Sequence, residues 1–324
     1  MTKIIAELCQ NHNGNKAILD EMVSAAAENG ADYAKIQSLH SSELIKRERF
    51  DNGLVEGGKV KVIKRPYESE YDRLKKLDLE LEDHLLFLSL CKKYNILPCT
   101  TIFSLSKIKM IFDLKFEIVK VASFDCASHR LISEIVKFNF KHIIVSTGAT
   151  YNREIEKTTS ILKKNKKNFS LLHCISIYPT PLKEAHLNRI NYLKRFSKSV
   201  GLSDHSNPDI NKNILSAMAM TYKIDFIERH FTILEKNKSK DGPVSVNPNQ
   251  LKELSALTKF SETQLFDYIK KNNTDYKTLQ GMENRDLSDI ELLNRDYYQG
   301  RFASKNKNRE IIFNWDEDSE FDFD

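Results

Sequence analysis

Residues 200–206 read Val-Gly-Leu-Ser-Asp-His-Ser, and residues 227–232 read Ile-Glu-Arg-His-Phe-Thr. In both stretches a short apolar run, typical of a buried strand, ends abruptly in polar residues that include a histidine. This pattern predicts two neighbouring strands that bring His205 and His230 to one mouth, where two imidazoles can hold a divalent metal. Because a single histidine at a strand end is more often structural, the surrounding sequence has to support the pair.

The composition is that of an ordinary globular protein. The chain has 324 residues, 40% hydrophobic and 29% charged, which is enough for one large domain or two small ones. No apolar run approaches the ~20 residues of a membrane-spanning helix, and Glu7 follows too soon after Met1 for a signal peptide, so we expect a cytoplasmic protein. The five cysteines are scattered without Cys-x-x-Cys spacing, which indicates buried thiols.

The charge is unevenly distributed along the chain. The net charge is +5, but the last ten residues carry six acids and no base, so the remaining 314 residues carry +11. A basic body suits anionic ligands. The lysines at 163, 164, 166 and 167 lack interleaved aromatic residues and are typical of a solvated helix end, so we expect no nucleic-acid partner.

Predicted strands and helices alternate along most of the chain. The predicted strands are Lys3–Cys9, Tyr33–Ser38, Ile96–Thr101, Phe116–Ala122, His142–Ser146, Phe169–Ile175, Ser197–Leu202 and Asp225–Glu228. The predicted helices are Asn15–Asn29, Leu81–Tyr94, Ser106–Leu114, His129–Phe138, Asn152–Lys164, Leu182–Phe196, Asp209–Thr221 and Pro248–Tyr268. Eight alternating pairs predict an α/β fold, a (β/α)8 TIM barrel over residues 1–272, with a C-terminal extension over 273–324 that ends in an acidic tail. A doubly wound open sheet is the alternative.

Polar residues follow each predicted strand, at the end where a barrel of this kind places its active site. They include Glu7, Gln37, Thr101, Ser123, Ser146, Ser176, Ser203 and Glu228. Lys35 and Lys120 lie inside apolar runs, where a buried ammonium is costly unless it meets an anion. We therefore favour ligand contact over a structural ion pair for both lysines.

Seven motifs together resemble one enzyme family. They are Ala-Glu-Leu-Cys-Gln-Asn-His-Asn-Gly (6–14), Ala-Asp-Tyr-Ala-Lys-Ile-Gln (31–37), Lys-Val-Ala-Ser (120–123), Val-Ser-Thr-Gly (145–148), Leu-Leu-His-Cys-Ile-Ser-Ile-Tyr-Pro-Thr-Pro (171–181), Gly-Leu-Ser-Asp-His (201–205) and Ile-Glu-Arg-His-Phe-Thr (227–232). In order and spacing this set resembles the sialic acid synthases, that is, N-acetylneuraminate synthase and its legionaminate and pseudaminate relatives. The resemblance extends from about Ile4 to Pro248.

The resemblance implies a metal-dependent condensation of phosphoenolpyruvate with an open-chain N-acetylated amino sugar, such as N-acetylmannosamine, to give a nine-carbon 2-keto acid and phosphate. It implies a divalent metal, usually Mn²⁺, held by His205 and His230, and catalytic roles for Glu7, Asp125, His205 and His230. It implies substrate contacts for Lys35, Gln37, Thr101, Lys120, Ser123, Ser146, Ser176, Tyr178, Ser203 and Asp241. A homodimer is compatible with the same resemblance.

Some of these residues also fit a structural role. Tyr178, which precedes Pro179, is compatible with a strand cap, and Glu7 with an ion pair to a barrel lysine. We expect His12 and Asn13 to shape a turn with Gly14 rather than to touch substrate.

Two substrate-side residues depart from the family pattern. Asp125 stands where the family usually has a glutamate, so its side chain is one methylene shorter. The family's Gly-Pro-Asp-His segment is replaced here by Asp-Gly-Pro-Val-Ser at 241–245, which leaves Asp241 as the nearby substitute.

As a third departure, we expect no C-terminal antifreeze-like domain; in the family this domain lends an arginine to a partner's sugar pocket. We expect the segment after the barrel either to reach a neighbouring subunit, with Arg295 or Arg301 replacing that arginine, or to cover the chain's own surface. We expect the acidic tail after Trp315 to be disordered.

These departures leave two alternatives to a sialic-acid-type synthase. One is a different phosphoenolpyruvate-dependent 3-deoxy-2-keto sugar acid synthase. The other is a catalytically silent barrel that binds phosphoenolpyruvate.

Overall fold

The computed structural model describes residues 1–317, and its centre is a closed barrel of eight parallel strands. The barrel strands are β1 (Lys3–Cys9), β2 (Tyr33–Ser38), β3 (Leu97–Ile102), β4 (Ile118–Val121), β5 (His142–Ser146), β6 (Phe169–Cys174), β7 (Ser199–Asp204) and β8 (Phe226–His230). Each strand pairs in parallel with the next one along the chain, and β1 also pairs with β8, which closes the sheet. The barrel prediction is confirmed, and the open-sheet alternative is wrong.

Helices surround the barrel and connect successive strands. Their bounds are Lys16–Glu28, Glu48–Asn52, Tyr67–Lys75, Leu81–Lys93, Leu105–Asp113, His129–Ile135, Asn152–Lys164, Arg189–Lys194, Pro208–Asn211, Ile214–Met220, Pro248–Leu257, Glu262–Asn272 and Asp289–Tyr298. No helix in this described part of the chain is long and apolar enough to cross a membrane. The five cysteines are buried free thiols, as predicted.

Three helices that the sequence predicts as continuous are interrupted, namely Leu182–Phe196, Asp209–Thr221 and Pro248–Tyr268. In the first two, a residue in the left-handed backbone region breaks the helical path, His186 at φ +45° and Lys212 at φ +50°. In the third, Ser261 caps a new helix by accepting a hydrogen bond from the backbone N–H of Gln264. Hydrophobic periodicity continued across all three interruptions, so it did not reveal them.

The inward-facing positions change from apolar to charged along the barrel axis. Ile5, Ile144, Leu172 and Phe226 form a small apolar cluster of their own. Because side chains alternate along a strand, the inward position after Ile5 in β1 is Glu7, and β8 continues from Phe226 through Glu228 to His230. At the carboxyl end of the barrel, the inward-facing side chains are therefore both buried and charged or ionisable.

The connection between β2 and β3 contains elements that the sequence analysis did not predict. Besides two short helices it contains an exposed hairpin of Leu54–Glu56 and Lys59–Val62. This insertion packs against the C-terminal segment: the backbone N–H of Ile45 donates to the carbonyl oxygen of Arg301 at 3.0 Å, and Leu44 forms an isolated bridge with Phe302.

The C-terminal segment lies on the chain's own barrel. It consists of the helix Asp289–Tyr298 followed by two antiparallel strands, Ala303–Lys305 and Ile311–Phe313. This arrangement matches the second of the two expectations for the segment, that it covers the chain's own surface. The domain division at 272 stays a prediction, and the acidic tail from 318 onward lies outside the described residues.

Candidate active site

A cavity of about 580 Å³ opens at the carboxyl ends of the barrel strands. Twelve of the fourteen predicted site residues line it: Glu7, Lys35, Gln37, Thr101, Lys120, Ser123, Ser146, Tyr178, Ser203, His205, His230 and Asp241. They come from all eight strands or the loops that follow them. The structure therefore brings these residues together, and their individual roles stay predictions.

Two buried lysines and two buried carboxylates form the floor of this cavity. Lys35 pairs with Glu7, lies 3.5 Å from a carboxylate oxygen of Glu228, and donates to the hydroxyl of Thr101 at 2.9 Å. Lys120 pairs with the other oxygen of Glu228. The sequence analysis predicted that both lysines contact a ligand. In the structure, each lysine forms an ion pair with a carboxylate of the protein.

In this floor, burial and the neighbouring charges shift the pKa values of Lys35 and Glu228 in opposite directions. Burial lowers the pKa of Lys35 to about 8, while the Glu228 carboxylate opposes the change. Burial would raise the pKa of Glu228, but the charges of Lys120 and Lys35 hold it below its usual range. At neutral pH the floor therefore holds a protonated Lys35 beside an ionised Glu228, in a place with little water to screen their charges.

Serine hydroxyls surround the lysines. Ser203 donates to Glu228 at 2.7 Å, and Ser123 accepts from the backbone N–H of Gly148 at 3.2 Å. The Ser146 hydroxyl is buried and has no hydrogen-bond partner, although it lines the cavity. A buried hydroxyl without a partner costs stability, and a bound ligand would supply the missing hydrogen bond.

The two predicted metal ligands face each other above the floor. The ring centroids of His205 and His230 are 5.2 Å apart, and the Tyr178 ring lies 4.3 Å from His205. Burial lowers the pKa of both imidazoles, and in His205 the neighbouring His230 adds to the effect. Both rings are therefore neutral, which is the form that binds metals.

The hydrogen bonds of the two imidazoles fit a metal. Nδ1 of His205 lies 3.2 Å from the carbonyl oxygen of Ile175, so it donates there. Nε2 of His205 carries the lone pair that a cation would take, and it lies 3.4 Å from the Ser203 hydroxyl. Nδ1 of His230 is buried without a hydrogen-bond partner and lies 3.9 Å from Asp241. The metal-ligand prediction for this pair is compatible with these contacts and stays a prediction.

Gln37 and Asp241 form part of the cavity wall. The Gln37 side-chain oxygen accepts from the amide of Gln10 at 3.3 Å. Asp241 follows β8 in a loop, and one of its carboxylate oxygens lies 3.9 Å from Nδ1 of His230. His12 is absent from the wall: its Nδ1 accepts from the backbone N–H of Gly14 at 3.0 Å, as expected for a turn-forming residue.

Asp125 and Ser176 do not line the main cavity. The Asp125 carboxylate accepts hydrogen bonds from Ser128 at 2.8 Å and from the Asn314 amide at 2.9 Å, in a small separate cavity. Ser176 is fully buried behind Gly148, where an added Cβ would approach the Ser176 hydroxyl to 2.5 Å. In the structure Asp125 contacts the C-terminal segment and Ser176 lies against Gly148, and the predicted roles of both residues stay predictions.

Sequence reasoning omitted several residues that line the cavity. Glu228 was visible at the end of a predicted strand, but its contacts with both lysines could not be read from the sequence. Arg65 comes from the β2–β3 insertion, and Tyr298 and Arg301 come from the C-terminal segment. Arg65 donates to the Tyr298 hydroxyl at 3.0 Å, which joins the two segments over the mouth.

The comparisons with known proteins agree with this geometry. The model of the NeuB family matches residues 22–270. The chain belongs to the NeuB family. The predicted membership of the sialic acid synthases is thereby confirmed.

Relatives in the NeuB family are named for related sugar acids. The chain is 32% identical to the N,N'-diacetyllegionaminic acid synthase of Campylobacter jejuni, over 83% of this chain and 79% of that one. It is 27% identical to the pseudaminic acid synthase of Helicobacter pylori, over 80% and 74%. A crystal structure of N-acetylneuraminic acid synthetase from Leptospira borgpetersenii in complex with citrate superposes with a TM-score of 0.68 at 27% identity, covering 91% of this chain and 90% of that one.

Proposed function

We propose that the chain condenses phosphoenolpyruvate with an open-chain N-acetylated amino sugar and water, giving a nine-carbon 2-keto sugar acid and phosphate. The observation that carries the proposal is the position of Lys35 and Lys120 in the floor of one cavity, below the imidazoles of His205 and His230. Membership of the NeuB family and the printed names of relatives support the same chemistry.

The floor provides contacts for an anion with two acidic groups. Phosphoenolpyruvate carries a carboxylate and a phosphate, and ammonium groups and hydroxyls bind both through charge-assisted hydrogen bonds. Lys35 and Lys120 supply the ammonium groups, and Ser146 supplies a buried hydroxyl that has no partner. Binding therefore satisfies a polar group that the protein alone leaves unpaired.

The reaction joins carbon 3 of phosphoenolpyruvate to the aldehyde carbon of the sugar, whose oxygen takes up a proton. Carbon 2 then becomes cationic and accepts the oxygen of a water molecule, which loses a proton. Cleavage of the bond between carbon 2 and the phosphate oxygen releases phosphate, which takes the second proton of the added water oxygen, and leaves the ketone. Glu7 is the carboxylate in the cavity floor that is suited to accept the first water proton, because the two lysines hold the pKa of Glu228 below its usual range.

Manganese or a similar divalent cation belongs to the same proposal. His205 and His230 are neutral. Nδ1 of His230 has no hydrogen-bond partner, and Nε2 of His205 has only a long contact of 3.4 Å with the Ser203 hydroxyl, so the pair is suited to hold the cation. When bound, it would polarise the aldehyde oxygen as a Lewis acid.

The test is phosphate release from phosphoenolpyruvate with Mn²⁺, using N-acetylmannosamine, 2,4-diacetamido-2,4,6-trideoxy hexoses and arabinose 5-phosphate as acceptors. We expect release with one acylamino sugar, and no release after chelation. Release with arabinose 5-phosphate alone would identify another 3-deoxy-2-keto acid synthase. Bound phosphoenolpyruvate without release from any acceptor would support a binding-only barrel.

A matched pair of lysine variants is the control. Lys120→Met removes a buried floor ammonium, whereas Lys141→Met removes an ammonium whose side chain is 72% exposed. We expect the first variant to lose phosphate release and the second to keep it. Equal activity of the two variants would contradict the proposed role of the floor.

A further inference from the structure

A fully buried ion pair lies behind the two histidines of the cavity. The side chains of Arg229 and Asp204 are both 0% exposed, and Nη1 of Arg229 lies 2.5 Å from a carboxylate oxygen of Asp204. The two residues are register partners on the adjacent strands β8 and β7. Because side chains alternate along a strand, Arg229 lies on the opposite face of β8 from Glu228 and His230, which line the cavity. The ion pair is therefore placed outside the cavity, where it does not touch a bound ligand.

Arg229 holds the turn that carries His205. Strand β7 ends at Asp204, so the backbone of His205 lies beyond the pairing of β7 with β8. The Arg229 guanidinium donates to the carbonyl oxygen of Asp204 at 3.2 Å and to that of Ser206 at 3.3 Å, on either side of His205. It also donates to the Ser206 hydroxyl at 3.1 Å. Since His230 follows Arg229 directly in β8, one side chain connects the strand of one histidine to the turn of the other.

The Asp204 carboxylate holds the same turn. One of its oxygens accepts a hydrogen bond from the backbone N–H of Ser206 at 2.9 Å, and the other accepts from the Ser216 hydroxyl at 2.6 Å. Ser216 belongs to the helix Ile214–Met220 outside the barrel. The carboxylate therefore links the turn both to Arg229 and to the surrounding helix layer.

Stability alone does not account for an ion pair that is buried so completely. Taking two charges out of water is costly, and apolar residues of similar volume often stabilise a fold as well or better. Among the described residues, Nε of Arg229 has no hydrogen-bond partner, which adds to the cost. What a guanidinium supplies, and an apolar side chain does not, is a rigid fork of hydrogen bonds to the backbone around His205.

We propose that Arg229 and Asp204 are positioning residues that set the separation and the direction of the imidazoles of His205 and His230. The ring centroids are 5.2 Å apart, and two ligands of one cation have to keep both their distance and their direction. The inference rests on the proposed function for the statement that these two imidazoles hold a divalent cation. It predicts that cation affinity falls when the hydrogen bonds to the turn are removed, although no residue of the cavity is changed.

The first experiment records the histidine ring signals of the full-length protein by nitrogen-15 NMR, without metal or substrate. The variants His205→Ala and His230→Ala assign the two signals. Arg229→Lys keeps the positive charge but lacks the planar fork that reaches both carbonyl oxygens. We expect the His205 signals to shift or broaden in this variant, and those of His142, at the amino end of β5, to stay unchanged. Unchanged His205 signals would overturn the proposal.

The second measurement is the Mn²⁺ affinity of the metal-free protein by isothermal titration calorimetry. We expect a fall of about tenfold or more in Arg229→Lys and in the double variant Asp204→Leu/Arg229→Met. The double variant removes both buried charges together, so it should melt close to the unaltered protein, which a circular dichroism melt checks. If it does not fold, Arg229→Lys decides by the same two measurements.

Arg189→Lys is the matched control. Arg189 is also a buried arginine, 5% exposed, but it donates to the Asn152 side chain and to the carbonyl oxygen of Glu283, neither of which lines the cavity. This variant should keep the Mn²⁺ affinity. Full affinity in the folded double variant, or an equal fall in Arg189→Lys, would show that the ion pair does not position the histidines.

This proposal and the proposed function fail separately, because the ring signals depend on neither metal nor turnover. Shifted His205 signals in Arg229→Lys, together with an unaltered protein that neither binds Mn²⁺ nor releases phosphate, would support the positioning role and count against the proposed reaction. Phosphate release by Arg229→Lys at the rate and with the metal dependence of the unaltered protein would overturn the positioning role and leave the proposed reaction intact.

Discussion

Glu70 connects three parts of the chain above the cavity, and replacing it with glutamine is the sharpest test of how the mouth is held. It lies in the helix Tyr67–Lys75 of the β2–β3 insertion, with a side chain only 10% exposed. Arg73 donates two hydrogen bonds to it at 2.9 Å, Arg301 pairs with it from the C-terminal segment, and the Lys240 ammonium lies 3.7 Å away. Glu70→Gln keeps the shape and removes the charge that these cations share.

The size of the effect follows from the pKa. Burial favours the neutral acid, but the hydrogen bonds from Arg73 and the charge of Arg301 hold the pKa of Glu70 at about 2, against 4.5 in the unfolded chain. At about 1.4 kcal/mol for each pH unit, this lowered pKa contributes about 3 kcal/mol to the free energy of unfolding. Because the folded pKa is the lower one, the contribution is complete above pH 4.5 and is lost as the pH falls towards 2.

Urea unfolding measures this contribution directly. We expect Glu70→Gln to lower the free energy of unfolding at pH 7 by about 3 kcal/mol, and the difference from the unaltered protein to shrink below pH 4.5. Glu68→Gln, an exposed glutamate on the same helix, is the control and should change stability by less than about 0.5 kcal/mol. If the two variants behave alike at pH 7, or if the Glu70→Gln deficit does not change with pH, the reasoning is refuted.

Two further predictions concern Asp125 and the proposed metal ligand His205. Burial raises the pKa of Asp125 to about 6, while hydrogen bonds from Asn314 and Ser128 oppose the change. The ionised form is therefore destabilising above the unfolded value of 3.8, and Asp125→Asn should raise the free energy of unfolding at pH 7, by up to about 3 kcal/mol, but not near pH 3. Asp125→Ala leaves both donors unpaired and should cost about 1–3 kcal/mol in urea unfolding; unchanged stability with lost turnover would instead mark a catalytic group. For the metal, His205→Ala should abolish the metal dependence of phosphate release and His12→Ala should preserve it, and equal losses would contradict a ligand role for His205.

The barrel and its floor could be predicted because their residues are fixed by local rules. Strand–helix alternation sets the barrel, and parallel pairing then places the carboxyl ends of all eight strands at one mouth. A lysine within an apolar run, such as Lys35 or Lys120, has to lie in that interior. The sequence was compatible with an ion pair between Glu7 and a barrel lysine, and the structure shows this pair on the adjacent strands β1 and β2. The sequence could not show that Glu228 contacts both Lys35 and Lys120, because the contact with Lys120 joins β8 and β4 across the barrel.

The wall above the floor could not be predicted for a different reason. Arg65 and Arg301 come from segments without strand–helix rhythm, and their positions depend on contacts between residues far apart in the sequence, such as the hydrogen bond of Ile45 to Arg301. The sequence also could not predict which residues the Asp125 side chain contacts. It lies in a single turn of 3-10 helix after β4, and its hydrogen bond to Asn314 spans 189 residues of sequence.

The distribution of charge gives the wall a role in ligand binding. In the floor, the two ammonium groups face two carboxylates, so the floor by itself offers no net positive charge to phosphoenolpyruvate. The excess of positive charge in the cavity lies higher, on Arg65, Lys240 and Arg301. Under the proposed function, the floor would orient a substrate that carries a carboxylate and a phosphate, and the charges of the wall would balance the charges of that substrate. Because Glu70 fixes Arg301 in that wall, the residues that hold the C-terminal segment in place also set how strongly the cavity attracts an anion.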